Sequence, residues 1–241
     1  MPKDAAFTLE DWTDRMSTLI VTGPKSREVM AKIGDADLSL PWLSMREAAV
    51  AGAWAAVLRL SFAGELGWEL HVPTEFARHV YDTLWEAGQP HGIRNVGYRA
   101  IESLRLEKRY IYWSGDLTPD YTPIEAGLGF RGHLKAKGDF IGRAVLERQK
   151  AKGPDRALHT FVTDAQLPVS GGEPILLHGK TVSLATSAGR GHSVGKTILM
   201  GYLPRAMAGE TAFECVVFGE TYPVTRVDGP LYDPNNDRLK A

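Results

Sequence analysis

Apolar and polar residues alternate along two neighbouring stretches in the first third of the chain. The alternation runs over Ala48–Phe62 and Trp68–Val72, on either side of Gly64–Gly67. Alternation with a period of two across a glycine-flanked break predicts two β-strands joined by a tight turn. A hairpin centred on that turn would place Phe62 directly opposite Glu69.

Glu69 is the unusual residue of this predicted hairpin. The face that it shares with Phe62 would also carry Leu58 and Leu60, so the carboxylate would lie among apolar side chains. A charge buried without a partner costs several kcal/mol. Two interpretations follow from spacing alone. Either this face is solvated, or the carboxylate meets a protein cation or a polar ligand.

The pattern around the hairpin adds a strand and three helices. Ser17–Val21 is a short apolar strand, and a helix is predicted over Ser26–Ile33. Apolar residues at three- and four-residue spacing predict two further helices, one beginning at Thr74 and one over Gly97–Lys108. This order of elements is close to that of ferredoxin-like layers, in which helices cover one face of a sheet.

The pattern changes after a short predicted helix over Phe140–Lys150 and a linker at Ala151–Asp155. Short strands separated by glycine-rich turns predict a small barrel or sandwich there. We expect an α+β protein with a ferredoxin-like α/β layer over residues 1–150 and a small C-terminal β-barrel over residues 151–241. The predicted strands of the second part are Leu158–Val162, Pro174–Leu177, Thr181–Thr186, Thr197–Leu203, Ala212–Phe218 and Tyr222–Val227.

Composition excludes several classes of protein. Of the 241 residues, 44% are hydrophobic, and 28 Lys and Arg nearly balance 29 Asp and Glu, so no basic surface for nucleic acid is expected. The single Cys215 excludes an internal disulfide and a CxxC motif. No leader segment is evident, and no run reaches the roughly 18 apolar residues of a membrane span. These features predict a cytosolic protein that binds neither nucleic acid nor membrane.

Other candidate motifs fail when their spacing is examined. Gly189–Thr197 resembles a phosphate-binding loop, but the first glycine of that motif is replaced by Arg190. The seven histidines show no metal-binding spacing, and no GxSxG nucleophile motif is present. Cys215 lies in an apolar strand, where a packing role is expected. Asp116 and Glu125 remain open as an acid/base pair or as turn residues.

Six motifs occur in the order in which a known family carries them, and together they span the chain from about Thr8 to Leu239. The chain resembles the aminomethyltransferase (glycine cleavage T-protein) family, and most of all the C-terminal folate-binding portion of dimethylglycine and sarcosine dehydrogenases. The six motifs are Val21–Val29, Gly64–Leu70, Glu102–Glu107, Asp139–Gly142, Gly171–Pro174 and Pro230–Pro234.

The resemblance implies tetrahydrofolate as the ligand. In the family, the second Glu of the Gly-Glu-x-Gly-aromatic-Glu motif binds the pterin amino and ring nitrogen groups, and here that residue is Glu69. A carboxylate accepts two parallel N–H donors from such a ring. The family also implies an aromatic residue seven positions earlier in the same pocket, here Phe62. Its ring can pack against the ligand, but it lacks a phenolic hydroxyl.

Two departures from the family limit the prediction of activity. Ile101 stands where aminomethyltransferases carry an Arg before the Asp-Ser-Leu-Arg-Leu-Glu motif. The family's catalytic Asp lies well before the first motif, and Asp4, Asp11 and Asp14 are too close to that motif to match it. We therefore expect the N-terminal part of the fold to be missing and leave the catalytic residue unassigned.

Three functions are consistent with these expectations. The chain is a tetrahydrofolate-dependent one-carbon transfer domain that is incomplete on its own, a non-catalytic folate-binding module, or a structural subunit of a larger amine-oxidising complex. The expected partners are a folate-type small molecule and a flavoprotein or N-terminal partner subunit. Whether the chain alone is an active enzyme is left open.

Overall fold

The structure is a computed structural model that describes residues 6–128 and 138–241. These residues form two compact units. The first comprises the described residues up to Val96 together with Asn235–Ala241, and the second comprises the described part of Gly97–Pro234. The domain boundary predicted between residues 150 and 151 stays a prediction.

A four-stranded antiparallel sheet forms the first unit, with strand order β1-β4-β3-β2. Two of its helices, α1 and α2, follow strands of this sheet, a third short helix lies at Asp237–Lys240, and short 3₁₀ turns lie at Thr74–Phe76 and Gln89–His91. The bounds are β1 Met16–Thr22, α1 Ser26–Met30, β2 Met45–Val50, β3 Ala53–Leu58, β4 Gly67–Pro73 and α2 Ala77–Gly88.

Alternation along β4 determines which sheet face is buried. Trp68, Leu70 and Val72 are fully buried and pack with Val80 and Leu84 of α2. Since successive side chains of a strand point to opposite faces, Glu69 and His71 lie on the other face. The sheet is therefore covered by helices on one face, and the other face carries the residues of the candidate site.

The second unit is built around a closed barrel with strand order β10-β5-β8-β7-β6-β9. All six of its strands overlap predicted strands, and the barrel confirms the α+β fold class. The bounds are α3 Tyr98–Glu107, α4 Arg143–Lys152, β5 Arg156–Thr163, β6 Pro174–Leu177, β7 Lys180–Gly191, β8 Lys196–Pro204, β9 Ala212–Val217, β10 Glu220–Val227 and, in the first unit, α5 Asp237–Lys240.

Cys215 lies in the barrel core beside Phe161, Ile175 and Phe213. Burial raises the pKa of the Cys215 thiol to about 11. A thiol with such a pKa is almost entirely protonated at neutral pH and is a poor nucleophile. The packing role predicted for this residue agrees with its surroundings.

The predicted hairpin is wrong in two respects. The alternation predicts one strand over Ala48–Phe62, but the structure has two, β2 and β3, joined by a turn in which Ala51 and Gly52 have positive φ angles. The motif Gly64–Gly67 is not a tight hairpin turn, because β3 ends at Leu58 and β4 begins at Gly67. Small residues continue the alternating pattern through the turn at Ala51 and Gly52. The pattern alone therefore did not show where β2 ends and β3 begins.

Over residues 6–128 and 138–241, no helix combines the length and apolar character needed to cross a membrane.

Candidate functional site

Glu69 and His71 lie side by side on the face of β4 that the helices leave uncovered. Glu69 Oε1 and His71 Nε2 are 2.7 Å apart, a short hydrogen-bonding distance, and the two side chains are 24% and 34% exposed. Thr18 Oγ1 lies 3.5 Å from His71 Nδ1, at the outer limit of a hydrogen bond. Among the described residues, Glu69 Oε2 accepts no hydrogen bond. This oxygen is therefore available to a ligand.

A cavity of about 670 Å³ opens on the same face of the sheet. Its volume is in the range of small-molecule sites, and apolar side chains dominate its wall. Glu69 is not itself in the wall, but its hydrogen-bond partner His71 and its paired residue Leu58 are. The lining residues are Trp12, Thr13, Met16, Thr18, Met45, Ala56, Leu58 and His71.

Strand register corrects the predicted position of Phe62. Glu69 pairs with Leu58 on β3 and with Ile20 on β1, so Phe62 is not its cross-strand neighbour. Phe62 is partly buried in the connection between β3 and β4 and is not a lining residue of the cavity. The structure therefore does not bring the two predicted site residues together on one strand pair. The role of Phe62 in a ligand pocket stays a prediction.

The second glycine of the motif has a packing function. A Cβ atom at Gly67 would lie 2.8 Å from the Cβ of Ser61 and 3.1 Å from the carbonyl oxygen of Leu60. The connection before β4 thus crosses directly over Gly67, where only glycine fits without displacement. This close approach allows β4 to begin here, two residues before Glu69.

His71 is the functional candidate that sequence reasoning missed. It was counted only among histidines without metal-binding spacing. The signal was nevertheless present, because residues two apart on a strand share a face. An imidazole beside a carboxylate holds it in place and can share a proton with it.

Asp116 and Glu125 have structural partners in the second unit. Asp116 is fully buried, and its Oδ2 lies 2.6 Å from Arg105 Nη1. Glu125 Oε2 accepts a hydrogen bond from the backbone N–H of Thr122, and Glu125 Oε1 lies 3.4 Å from Arg156 Nε. These contacts give both carboxylates a role in holding their loops. Within the described part of the chain, no cluster of three or more His, Cys, Asp or Glu side chains is arranged to hold a metal ion.

Comparisons with known proteins agree with this architecture. Residues 1–136, more than half of the chain, match the family model described as the GCVT N-terminal domain. Residues 156–233 match the glycine cleavage T-protein C-terminal barrel domain. The chain belongs to the glycine cleavage T-protein family. The resemblance stated from the six motifs is thereby confirmed.

Individual relatives match nearly the whole length of this chain. Mouse sarcosine dehydrogenase is 39% identical over 97% of the chain, and human dimethylglycine dehydrogenase is 35% identical over 96%. A solved structure, the glycine cleavage system aminomethyltransferase T from Bartonella henselae, covers 91% of the chain with a TM-score of 0.81 and 26% identity. The chain spans 27% and 28% of the two dehydrogenases and 60% of the solved chain. In these relatives the region that matches this chain is therefore part of a longer chain.

The predicted cytosolic location is wrong. The sarcosine and dimethylglycine dehydrogenases that the chain matches are mitochondrial proteins. Charge balance and the lack of an evident leader do not identify a cellular compartment. The sequence features used for the prediction therefore could not support it.

Proposed function

We propose that the first unit binds a reduced folate, with the Glu69 carboxylate accepting N–H groups of the pterin ring. The observation that carries this proposal is the position of Glu69: a half-buried carboxylate with an available oxygen, beside a largely apolar cavity. A flat heterocycle would pack against Met45, Ala56 and Leu58, while its polar edge would meet the carboxylate. An ionised carboxylate has about four lone-pair sites, so it serves His71 and a ligand together.

His71 is assigned a positioning role within this proposal. Its hydrogen bond to Oε1 restricts rotation of the Glu69 side chain and leaves Oε2 available to a ligand. An oxygen held in place before binding loses less conformational freedom when the ligand arrives. His71 thus favours one orientation of the pterin.

The reaction that fits the family is one-carbon transfer. Tetrahydrofolate supplies the nitrogen that takes up the methylene group from the imine formed when a secondary or tertiary amine is oxidised, and the demethylated amine is released. The residues described above hold the folate, and holding two reactants in a fixed geometry is itself a large part of such catalysis. The amine substrate and the group that moves the proton are not assigned to residues of this chain.

A second candidate is a partner-binding subunit, and a specific feature favours it. Ile20, Met45 and Trp54 lie on the same open sheet face and are 56%, 54% and 63% exposed. Clusters of exposed apolar side chains are typical of surfaces that contact another domain or chain. A flavoprotein is the partner that an amine-oxidising complex would require.

Titration calorimetry with 5-formyltetrahydrofolate, a stable reduced folate, tests the folate proposal. We expect micromolar binding with one ligand per chain. The fragment p-aminobenzoylglutamate carries the tail of the folate without the pterin, and it should neither bind nor compete. Absence of heat at millimolar ligand, or equally strong binding of the fragment, would contradict pterin recognition and favour the partner-binding subunit.

A further inference from the structure

Trp12 lines the cavity of the first unit but does not lie on its sheet. Six of the eight lining residues belong to the strands β1 to β4 and form the floor of the cavity. The other two, Trp12 and Thr13, come from the segment that precedes β1. A lining side chain that is not part of the sheet must border the cavity from its side or from above. Trp12 therefore forms a wall of the cavity, and this wall is aromatic.

A turn holds the backbone of Trp12 in place. The carbonyl oxygen of Trp12 accepts hydrogen bonds from the N–H groups of Arg15 and Met16, at 2.9 Å and 3.2 Å. The same turn is attached to Thr74, the residue that follows β4. The Thr74 N–H donates to the oxygen of Arg15 at 3.0 Å, and Thr74 Oγ1 donates to the oxygen of Asp14 at 3.1 Å. These bonds fix Trp12 relative to β1 and β4, which form part of the cavity floor.

A hydrogen bond orients the indole ring of Trp12. Its Nε1 donates to Glu10 Oε2 at 2.8 Å, and Arg15 Nη1 lies 3.6 Å from the same oxygen. The indole N–H is the only polar group of a tryptophan side chain, so this bond satisfies the ring. Trp12 is 52% exposed, and over residues 6–128 and 138–241 its ring stacks on no other aromatic ring and on no cation. What the ring offers to a ligand is therefore a flat apolar surface.

The pterin of a reduced folate combines a flat face with a polar edge. Its pyrimidine half stays planar when the other ring is reduced, and the same half carries the amino group and ring N–H that Glu69 would accept. Stacking of a planar heterocycle on an aromatic side chain tolerates different ring substituents. A carboxylate, in contrast, distinguishes the pattern of N–H groups along the edge. The two contacts would therefore select different properties of one ring.

We propose that Trp12 stacks on the planar half of the pterin and thereby makes the cavity selective for a flat heterocycle. This inference rests on the proposed folate binding and adds to it a second binding residue, which acts independently of Glu69. Apolar floor residues such as Leu58 contact a ligand of any shape, whereas an aromatic wall favours a flat one. Because the turn and Glu10 hold the indole before binding, little conformational freedom is lost when the ring stacks.

Calorimetric titration with 5-formyltetrahydrofolate compares wild type with Trp12→Leu, Trp12→Phe and Trp54→Leu. Trp54 provides the matched control, because it lies on the open sheet face, is 63% exposed and does not line the cavity. We expect Trp12→Leu to raise the Kd about tenfold, since one stacking contact is lost. Trp12→Phe should raise it by about threefold or less, because a smaller ring still stacks. Trp54→Leu should leave the Kd unchanged.

Tryptophan fluorescence gives a readout that a purely structural role of Trp12 would not change. A ring that stacks on the ligand is quenched by it, so saturating 5-formyltetrahydrofolate should quench the emission of wild type and of Trp54→Leu. The quenching should be largely lost in Trp12→Phe, which still binds. This arm also decides the question if Trp12→Leu does not fold. Quenching that persists undiminished in Trp12→Phe would show that the ligand stacks elsewhere.

The outcomes separate this inference from the folate proposal. If Trp12→Leu binds with wild-type affinity and Glu69→Ala does not bind, the stacking role is overturned and the folate proposal stands. If Trp12→Leu weakens binding and Glu69→Ala does not, stacking stands and recognition of the pterin edge by Glu69 is wrong. An equal loss in Trp54→Leu would overturn the stacking role, since the effect would then not depend on the cavity wall. A wild-type chain that binds no folate overturns both.

Discussion

Replacement of Glu69 with alanine is expected to abolish measurable binding of a reduced folate. In the proposed site the carboxylate accepts two N–H groups of the pterin, and charged hydrogen bonds contribute about 1.5–3 kcal/mol each. Losing both would cost about 3 kcal/mol or more, which is at least a roughly 100-fold increase in Kd. Titration calorimetry of Glu69→Ala against the wild-type chain measures this difference.

Glu47→Ala is the matched control for this experiment. Glu47 lies on the same open face, on the edge strand β2, and its residue is exposed. Its removal changes the net charge equally and should leave the Kd within about twofold. The conservative variant His71→Gln should weaken binding less than Glu69→Ala, because only the positioning contact is changed. Equal affinities for wild type and Glu69→Ala would show that the pterin is bound elsewhere.

Replacement of Asp116 with asparagine is expected to give the largest loss of stability. The Asp116 carboxylate also accepts a hydrogen bond from Thr186 Oγ1 at 2.6 Å, and its partner Arg105 is 1% exposed. Removing the negative charge leaves the arginine buried without full compensation, although Arg105 also contacts Glu102 Oε2 at 2.7 Å. Breaking a buried pair costs about 3–5 kcal/mol, and the remaining contact places our expectation near 3 kcal/mol.

Urea unfolding monitored by circular dichroism measures this loss, with Asp82→Asn as the control. Asp82 pairs with Arg78 on the surface of α2, where the side chains are 50% and 89% exposed. Such exposed pairs contribute about 0–1 kcal/mol, so the control should unfold close to wild type. If Asp116→Asn and Asp82→Asn unfold at the same urea concentration, the buried pair does not stabilise the second unit.

The barrel was predictable because each of its strands is indicated by a short, continuous stretch of sequence. The strands from β5 to β10 are largely apolar segments, and each connection between consecutive strands contains glycine, so pattern and turn residues agree. The first unit was less predictable around β3 and β4. Gly64 and Gly67 have the composition of a turn, but Gly67 is required by the close passage of Ser61 rather than by a hairpin. Local patterns do not distinguish these two uses of glycine.

The candidate site, like the first unit, could be predicted only in part from the sequence. Glu69 was singled out by its motif, but alternation alone left open whether its sheet face is solvated or apolar and covered. The neighbouring cavity depends on β1, β2 and β3 together, which no single stretch of sequence shows. The contact of Arg59 with Ala241 joins residues far apart in the chain. No periodicity links such residues, so only the folded chain reveals this contact.

A crystal structure of the chain with 5-formyltetrahydrofolate tests the central claim most directly. We predict electron density for the pterin on the open face of the sheet, with its amino group and ring N–H within about 3.2 Å of the Glu69 oxygens. The hydrogen bond between Glu69 and His71 should persist. Density for the ligand against any other surface, with Glu69 bonded only to His71 and solvent, would contradict the account.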